Sequence, residues 1–128
     1  CLAEADIVSL HLALTPATRH LIDAAALAAM PAGAVLVNTG RGGLVDTAAL
    51  VDALAQRRLA GAYLDVFEAD PLPAESPLWQ LDNVILTPHC ADLVADWELV
   101  LADFFLDNLE RRLGGRPLRN VVTPDPSA

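Results

Sequence analysis

The sequence predicts an α/β fold, a parallel sheet with flanking helices, and three observations predict it. Four short apolar runs rich in Val, Ile, Leu and Ala, at residues 5–12, 34–38, 60–66 and 83–86, read as strands buried on both faces. Stretches of helical periodicity alternate with them. Three of the runs end in ionisable residues, as in open sheets that bind ligands beyond the carboxyl ends of their strands.

The first run, within ADIVSLHL, precedes a helix from Asp23 to Ala29 that Pro31 and Gly33 bring to an end. The second, AVLVN, turns through TGRGG into a helix from Asp46 to Arg58, where Asp46 serves as N-cap for unpaired backbone N–H groups. This strand, helix, strand order implies right-handed crossovers. After the third run, Glu68 to Asp82 holds Pro71, Pro73, Ser76 and Pro77, which makes it an ordered loop with one short turn at Leu78 to Leu81. Its length is that of a functional loop. The fourth run leads to His89 and an amphipathic helix from about Leu93 to Leu113, stopped by Gly114 and Gly115. Trp97, Val100, Leu101, Phe104, Phe105, Leu109 and Leu113 recur at helical spacing, so the aromatics are assigned to a core. The tail at residues 123–128 reads as disordered.

With 128 residues, 54% of them hydrophobic, the chain can form one domain around one core. A net charge of −9 argues against nucleic acid and anionic membranes as partners, because both repel such a chain. No run approaches the roughly 18 apolar residues of a membrane span. Cys1 and Cys90 form neither a metal-ligand spacing nor a disulfide framework, so no metal is expected and a reducing cytoplasm is the expected compartment.

Arg41 lies at a strand-to-helix turn, where a guanidinium clamps a carboxylate or phosphate through two parallel hydrogen bonds. The plainer reading is a solvated surface charge beside a tight glycine turn. His89 follows the last strand and offers a proton carrier near neutral pH, against the plainer reading of a buried histidine bonded to backbone. His11 also follows a strand, and His20, before an apolar Leu-Ile pair, reads as structural. Cys90 beside His89 does not form a nucleophilic pair with it, since neighbours on an extended chain point to opposite sides.

Three separated segments, VNTGRGGLVD, LDVFEADPL and TPHCA, resemble the motifs V-N-[TAS]-x-R-G-x-x-V-D, L-D-V-[FY]-x-x-E-P-L and T-P-H-x-[AG] of the D-isomer-specific 2-hydroxyacid dehydrogenases. ADIVSLHLALTPATRHLID and GGRPLRNVV are similar to further parts of the same family, so the resemblance spans residues 1–122. It implies a Rossmann-like sheet, present as the C-terminal half of an NAD(P)-binding domain (1–122) with a long C-terminal helix. It also implies hydride transfer between NAD or NADP and C2 of a small 2-hydroxy or 2-oxo acid.

Residue by residue, the resemblance makes Arg41 the carboxylate clamp and His89 the general acid/base. The acid before the proline of the E-P-L element is Asp70, where the family usually has Glu; it would orient the imidazole and favour its charged form. The shorter side chain sets the carboxylate back by roughly 1–1.5 Å unless the loop moves inward, and misplacement on that scale matters to rate. Glu68 is the alternative partner, on the same side of an extended stretch. Cofactor contacts fall on Ala13, Thr39, Gly40, Arg41, His89 and Asp65, the last bonding the nicotinamide carboxamide. Ala13 stands where the family commonly has proline, which loosens that loop, and Asp92 replaces a small residue near the substrate pocket.

The glycine fingerprint G-x-G-x-x-G is absent, so NAD and NADP are not distinguished. That absence, and a start at Cys1 just before a strand, suggest a piece of a longer protein, expected to be a homodimer when whole. In the sheet order 3-2-1-4-5-6 the strand at residues 5–12 would then be a bare edge. Two other classes stay open: a non-catalytic regulatory or binding relative, and an inactive structural half-domain.

Overall fold

Four parallel strands stand in chain order in a computed structural model that describes residues 1–122. They are β1 (Ile7–Leu10), β2 (Val35–Asn38), β3 (Gly61–Leu64) and β4 (Val84–Leu86), with α1 (Ala24–Ala29) and α2 (Thr47–Ala55) between them. The tail at residues 123–128 lies outside the described residues. Pairing runs one residue past the strands at their carboxyl ends, where the Asp65 N–H donates to the Asn38 carbonyl and the Thr87 N–H to the Leu64 carbonyl, each at 3.0 Å. Among the described residues β1 pairs with β2 alone, so it is an edge strand.

Local chemistry sets the helix ends. The Asp23 carboxylate accepts the Ala26 N–H at 2.8 Å and Asp46 accepts the Ala49 N–H at 3.1 Å, each satisfying a donor that the first turn leaves unpaired. α2 stops at Ala55 rather than Arg58 because Arg57 takes a left-handed conformation, φ 54°. That turn sends the Arg58 guanidinium to the carbonyls of Ala28, at 2.8 Å, and Met30, at the end of α1. The loop turn expected at Leu78–Leu81 is a 3-10 helix at Pro77–Gln80, capped by Ser76, and a second 3-10 helix occupies Gly42–Leu44.

Val8, Leu36, Ala62 and Val84 share one rung of the sheet, and Leu10, Asn38, Leu64 and Leu86 another on the same face. That face packs with Leu27 of α1 and with Leu50 and Leu54 of α2 into the core, joined by Leu44, Leu59 and Leu78. The other face carries Ile7, Val37, Tyr63 and Ile85, and Ile7 and Ile85 are 66% and 63% exposed. Burial on both faces is therefore corrected to burial on one, because both helices pack into the same core.

Among the described residues the buried apolar side chains form one core cluster. The chain divides into two compact units, the first Cys1–Asp92 and the second beginning at Leu93. The second holds α3, Trp97–Leu113, which starts later than Leu93 because Asp96 is left-handed, φ 60°. No α3 residue is buried, so Trp97, Phe104 and Phe105 are not the core residues their spacing predicts. Within its unit, polar contacts join the helix to the chain that follows it. Asp107 accepts from Arg111 at 2.9 Å and from Arg119 at 3.2 Å, and the Arg119 guanidinium lies 5.9 Å from the Phe104 ring centre. Among the described residues no helix is long and apolar enough to cross a membrane.

One glycine is sterically obligatory. A Cβ on Gly42 would lie 1.9 Å from the Phe67 carbonyl carbon and 2.5 Å from the Glu68 nitrogen, so the backbones after β2 and β3 touch there. Gly42→Ala is expected to destabilise the fold by about 3 kcal/mol, as overpacking against rigid backbone does. A urea midpoint unchanged from wild type would show that the contact is not needed.

Candidate active site

The strand ends β2, β3 and β4 are neighbours, and each is followed by one or more of the residues singled out from the sequence. Arg41 follows β2, Asp65 and Asp70 follow β3, and His89 follows β4. Strand spacing puts the β2 and β4 ends roughly 10 Å apart, a gap that a small bound acid and a nicotinamide ring can fill.

Asn38 shapes the first loop. It is 1% exposed, its Oδ1 accepts the Gly40 N–H at 3.1 Å, and its Nδ2–H donates to the Arg41 carbonyl at 3.0 Å. These bonds fold Thr39–Arg41 back over the strand end and leave the Arg41 side chain exposed, with Nη1–H donating to the Gly40 carbonyl at 2.7 Å. A cleft of about 330 Å³ is lined by His11, Leu12, Ala13, Thr39, Gly40 and Arg41. It thus gathers Ala13, Thr39, Gly40 and Arg41, all assigned from sequence to one cofactor site. The Ala13 loop is not slack despite its missing proline, because the Thr18 hydroxyl donates to the Ala13 carbonyl at 2.8 Å and accepts the Thr15 N–H at 2.7 Å.

The imidazole of His89 lies against Asp70, with 2.7 Å between Nδ1 and Oδ2. With Nδ1–H donating to the carboxylate, Nε2 is the ring nitrogen that has no hydrogen-bond partner among the described residues. The Asp side chain reaches the ring, in a loop whose start lies against Gly42. Glu68 does not share this role. Its Oε1 bonds His20 Nε2 at 2.7 Å and its Oε2 accepts the Thr47 N–H at 3.0 Å, so it and Asp70 serve different partners. An apolar hollow of about 240 Å³, lined by Phe67, Asp70, Leu72, Trp79, Leu86 and Thr87 among others, adjoins the pair. Among the described residues no hydrogen bond or ion pair joins Arg41 to Asp70 or His89, so a ligand would have to bridge them.

Asp65 is 1% exposed and holds the turn that presents His89. Its Oδ1 accepts the Cys90 N–H at 2.9 Å and the Thr87 hydroxyl, and its Oδ2 accepts the Ala91 N–H at 2.8 Å. The turn needs such anchoring, since His89 itself is left-handed, φ 55°. Burial works against the Asp65 charge, yet the Thr87 hydroxyl and the two amides outweigh it and hold the carboxyl below the usual range. Burial, and then the Asp65 charge, push the Cys90 thiol up, so it stays protonated at neutral pH and is no nucleophile. Asp92 is exposed at the end of the first unit. Among the described residues no group of three His, Cys, Asp or Glu is placed to hold a metal ion.

Asn38, Thr87 and the bracing by Glu68 are the contributors that sequence reasoning missed. The one available signal was a polar Asn closing the apolar run AVLV. Because Asp65 has a lowered carboxyl, its stabilisation is complete above the ordinary carboxylate range and is lost as pH falls through its folded value. Asp65→Ala is expected to cost roughly 3 kcal/mol, by stranding buried donors, and to remove that acid-side dependence. Stability measured against pH checks both, and a variant with the wild-type acid slope would contradict the assignment.

Residues 1–91 match the family model described as D-isomer specific 2-hydroxyacid dehydrogenase, NAD binding domain. The (S)-sulfolactate dehydrogenase of Chromohalobacter salexigens is 48% identical over 115 residues, 90% of this chain and 37% of that protein. The glyoxylate reductase of Aeropyrum pernix is 46% identical over 121 residues, 94% of this chain and 36% of that one. Among solved structures, a D-isomer specific 2-hydroxyacid dehydrogenase from Xanthobacter autotrophicus Py2, in complex with NADPH and MES, superposes with a TM-score of 0.85 at 46% identity, covering 96% of this chain and 50% of that one. The chain therefore spans just over a third of the length of these two curated relatives. The motif order, the parallel sheet, the site at its carboxyl edge and these matches agree: the chain belongs to the D-isomer specific 2-hydroxyacid dehydrogenase family, within its NAD-binding domain.

Proposed function

We propose that the whole protein transfers a hydride between NAD or NADP and C2 of a small 2-hydroxy or 2-oxo acid. The observation that carries this reading is the 2.7 Å pairing of His89 with Asp70 at the sheet edge that also presents an exposed Arg41. Relatives named for sulfolactate and glyoxylate share that acid class.

The cleft beside Arg41 fits a cofactor. It opens at the carboxyl ends of β1 and β2, and its floor is kept slim by Gly40, whose Cβ would press on the Leu10 and Leu12 carbonyls at 3.1 and 3.3 Å. Ala13, Thr39, Gly40 and Arg41 line it, and Asp65 is the residue that the family motif assigns to the nicotinamide carboxamide. The cofactor supplies or accepts the hydride.

In the direction of reduction, Arg41 binds the substrate carboxylate with its planar fork and places positive charge near the carbonyl oxygen. His89 donates its Nε2 proton to that oxygen as hydride reaches C2, giving the hydroxyl, and takes a proton back from solvent. Asp70 holds the ring so that Nε2 faces the substrate and balances the charge of the imidazolium. In oxidation the same groups act in reverse. A homodimer in a reducing cytoplasm belongs to this reading, to which the two free cysteines are suited.

Cofactor oxidation by the full-length protein, followed with a panel of 2-oxo acids, tests it. Arg41→Ala is expected to lower kcat/KM by about 10²–10³-fold. Asp70→Asn is expected to lower kcat by roughly tenfold and to move the alkaline limb of the reduction profile to lower pH, because an uncharged partner no longer favours the imidazolium. Turnover on no acid by the wild type, or full turnover by Arg41→Ala, would sink the proposal.

A further inference from the structure

His89 and Asp70 form an exposed pair, with side chains 51% and 38% accessible, so burial does not fix their geometry. An exposed ion pair contributes little by itself, because holding two mobile side chains together offsets most of the attraction. Ala69 and Pro71, on either side of Asp70, are exposed as well. On the far side Leu72 packs against the core, and on the near side the fixed side chain is Glu68. Its carboxylate bonds His20 Nε2 at 2.7 Å and the N–H of Thr47, the first residue of α2, at 3.0 Å. A carboxylate is favoured at that helix end. His20 is itself tied down, since its N–H donates to the Gly43 carbonyl at 2.8 Å.

We propose that Glu68 is a positioning residue, which locks the loop carrying Asp70 to α2 and to the His20 segment and so governs how firmly Asp70 holds His89. The inference rests on the hydride-transfer reading above. Glu68 is braced from two other elements at a point two residues from Asp70, whereas among the described residues the Asp70 carboxylate is hydrogen-bonded to the ring alone. The charged groups around Glu68 are His20 from the loop after β1, Asp46 at the α2 cap, whose carboxylate is turned to Ala49, and Glu75 across a hollow of about 390 Å³ in its own loop. Burial opposes the charge of Glu68, but its bonds to Thr47 and His20 outweigh that and hold the carboxyl below the usual range. The brace is therefore intact at neutral pH and released in acid.

The test is steady-state reduction by the full-length protein across pH, comparing wild type with Glu68→Ala, Glu68→Gln and Asp70→Asn. Glu68→Ala is expected to lower kcat about tenfold, as loss of positioning does, with KM for the cofactor unchanged. Its alkaline limb should move in the same direction as that of Asp70→Asn, by a smaller amount. Glu68→Gln keeps an oxygen for the Thr47 amide and an amide for the His20 ring, and should recover at least half of both losses. If Glu68→Ala does not fold, His20→Ala removes one of the two bonds and should shift the limb with the same sign.

A folded Glu68→Ala protein with wild-type kcat and profile overturns the proposal, and so does a loss of rate without a shifted limb and without rescue by Gln. Asp70→Asn separates the two levels. A shifted limb in Asp70→Asn with none in Glu68→Ala rejects the role of Glu68 alone, whereas no shift in either rejects the His89–Asp70 couple beneath it.

Discussion

The site depends on two loops being allowed to touch. Gly42, directly after Arg41, has no Cβ, and the backbone of Phe67 and Glu68 lies in the space a Cβ would fill. That approach brings the loop after β3 down onto the loop after β2. The same loop carries Glu68, bonded to α2 and His20, and Asp70, bonded to His89.

Around this contact each candidate site residue is held by a less conspicuous neighbour. Asn38 folds the turn that presents Arg41, and Asp65 gathers the amides beyond His89 into a turn that its left-handed backbone would not keep unaided. The sheet provides the registration, since three adjacent parallel strands end level and deliver their loops to one edge.

Much of this was legible in the sequence, for reasons that also explain what was not. The strands, the Asp46 cap and the order of Arg41, Asp70 and His89 follow from local patterns and motif wording. Glu68 and Asp70 could not be told apart, because their difference lies in bonds to residues far away in sequence, His20 and Thr47 for one and His89 for the other. Asp65 was read as a cofactor contact, and only the fold reveals that three donors already engage it. Apolar runs such as AVLV do not disclose whether one or both faces are covered, and here Ile7 and Ile85 remain open. The spacing of α3 likewise records an amphipathic face without saying what, if anything, buries it.

The central claim is that one small acid joins Arg41 to the His89–Asp70 pair. A crystal structure of the full-length protein with cofactor and a non-reducible 2-oxo acid analogue tests it most directly. The analogue's carboxylate is expected on the Arg41 guanidinium and its 2-oxygen about 2.6–3.2 Å from His89 Nε2. An analogue held away from Arg41, or with that oxygen out of reach of Nε2, would contradict it.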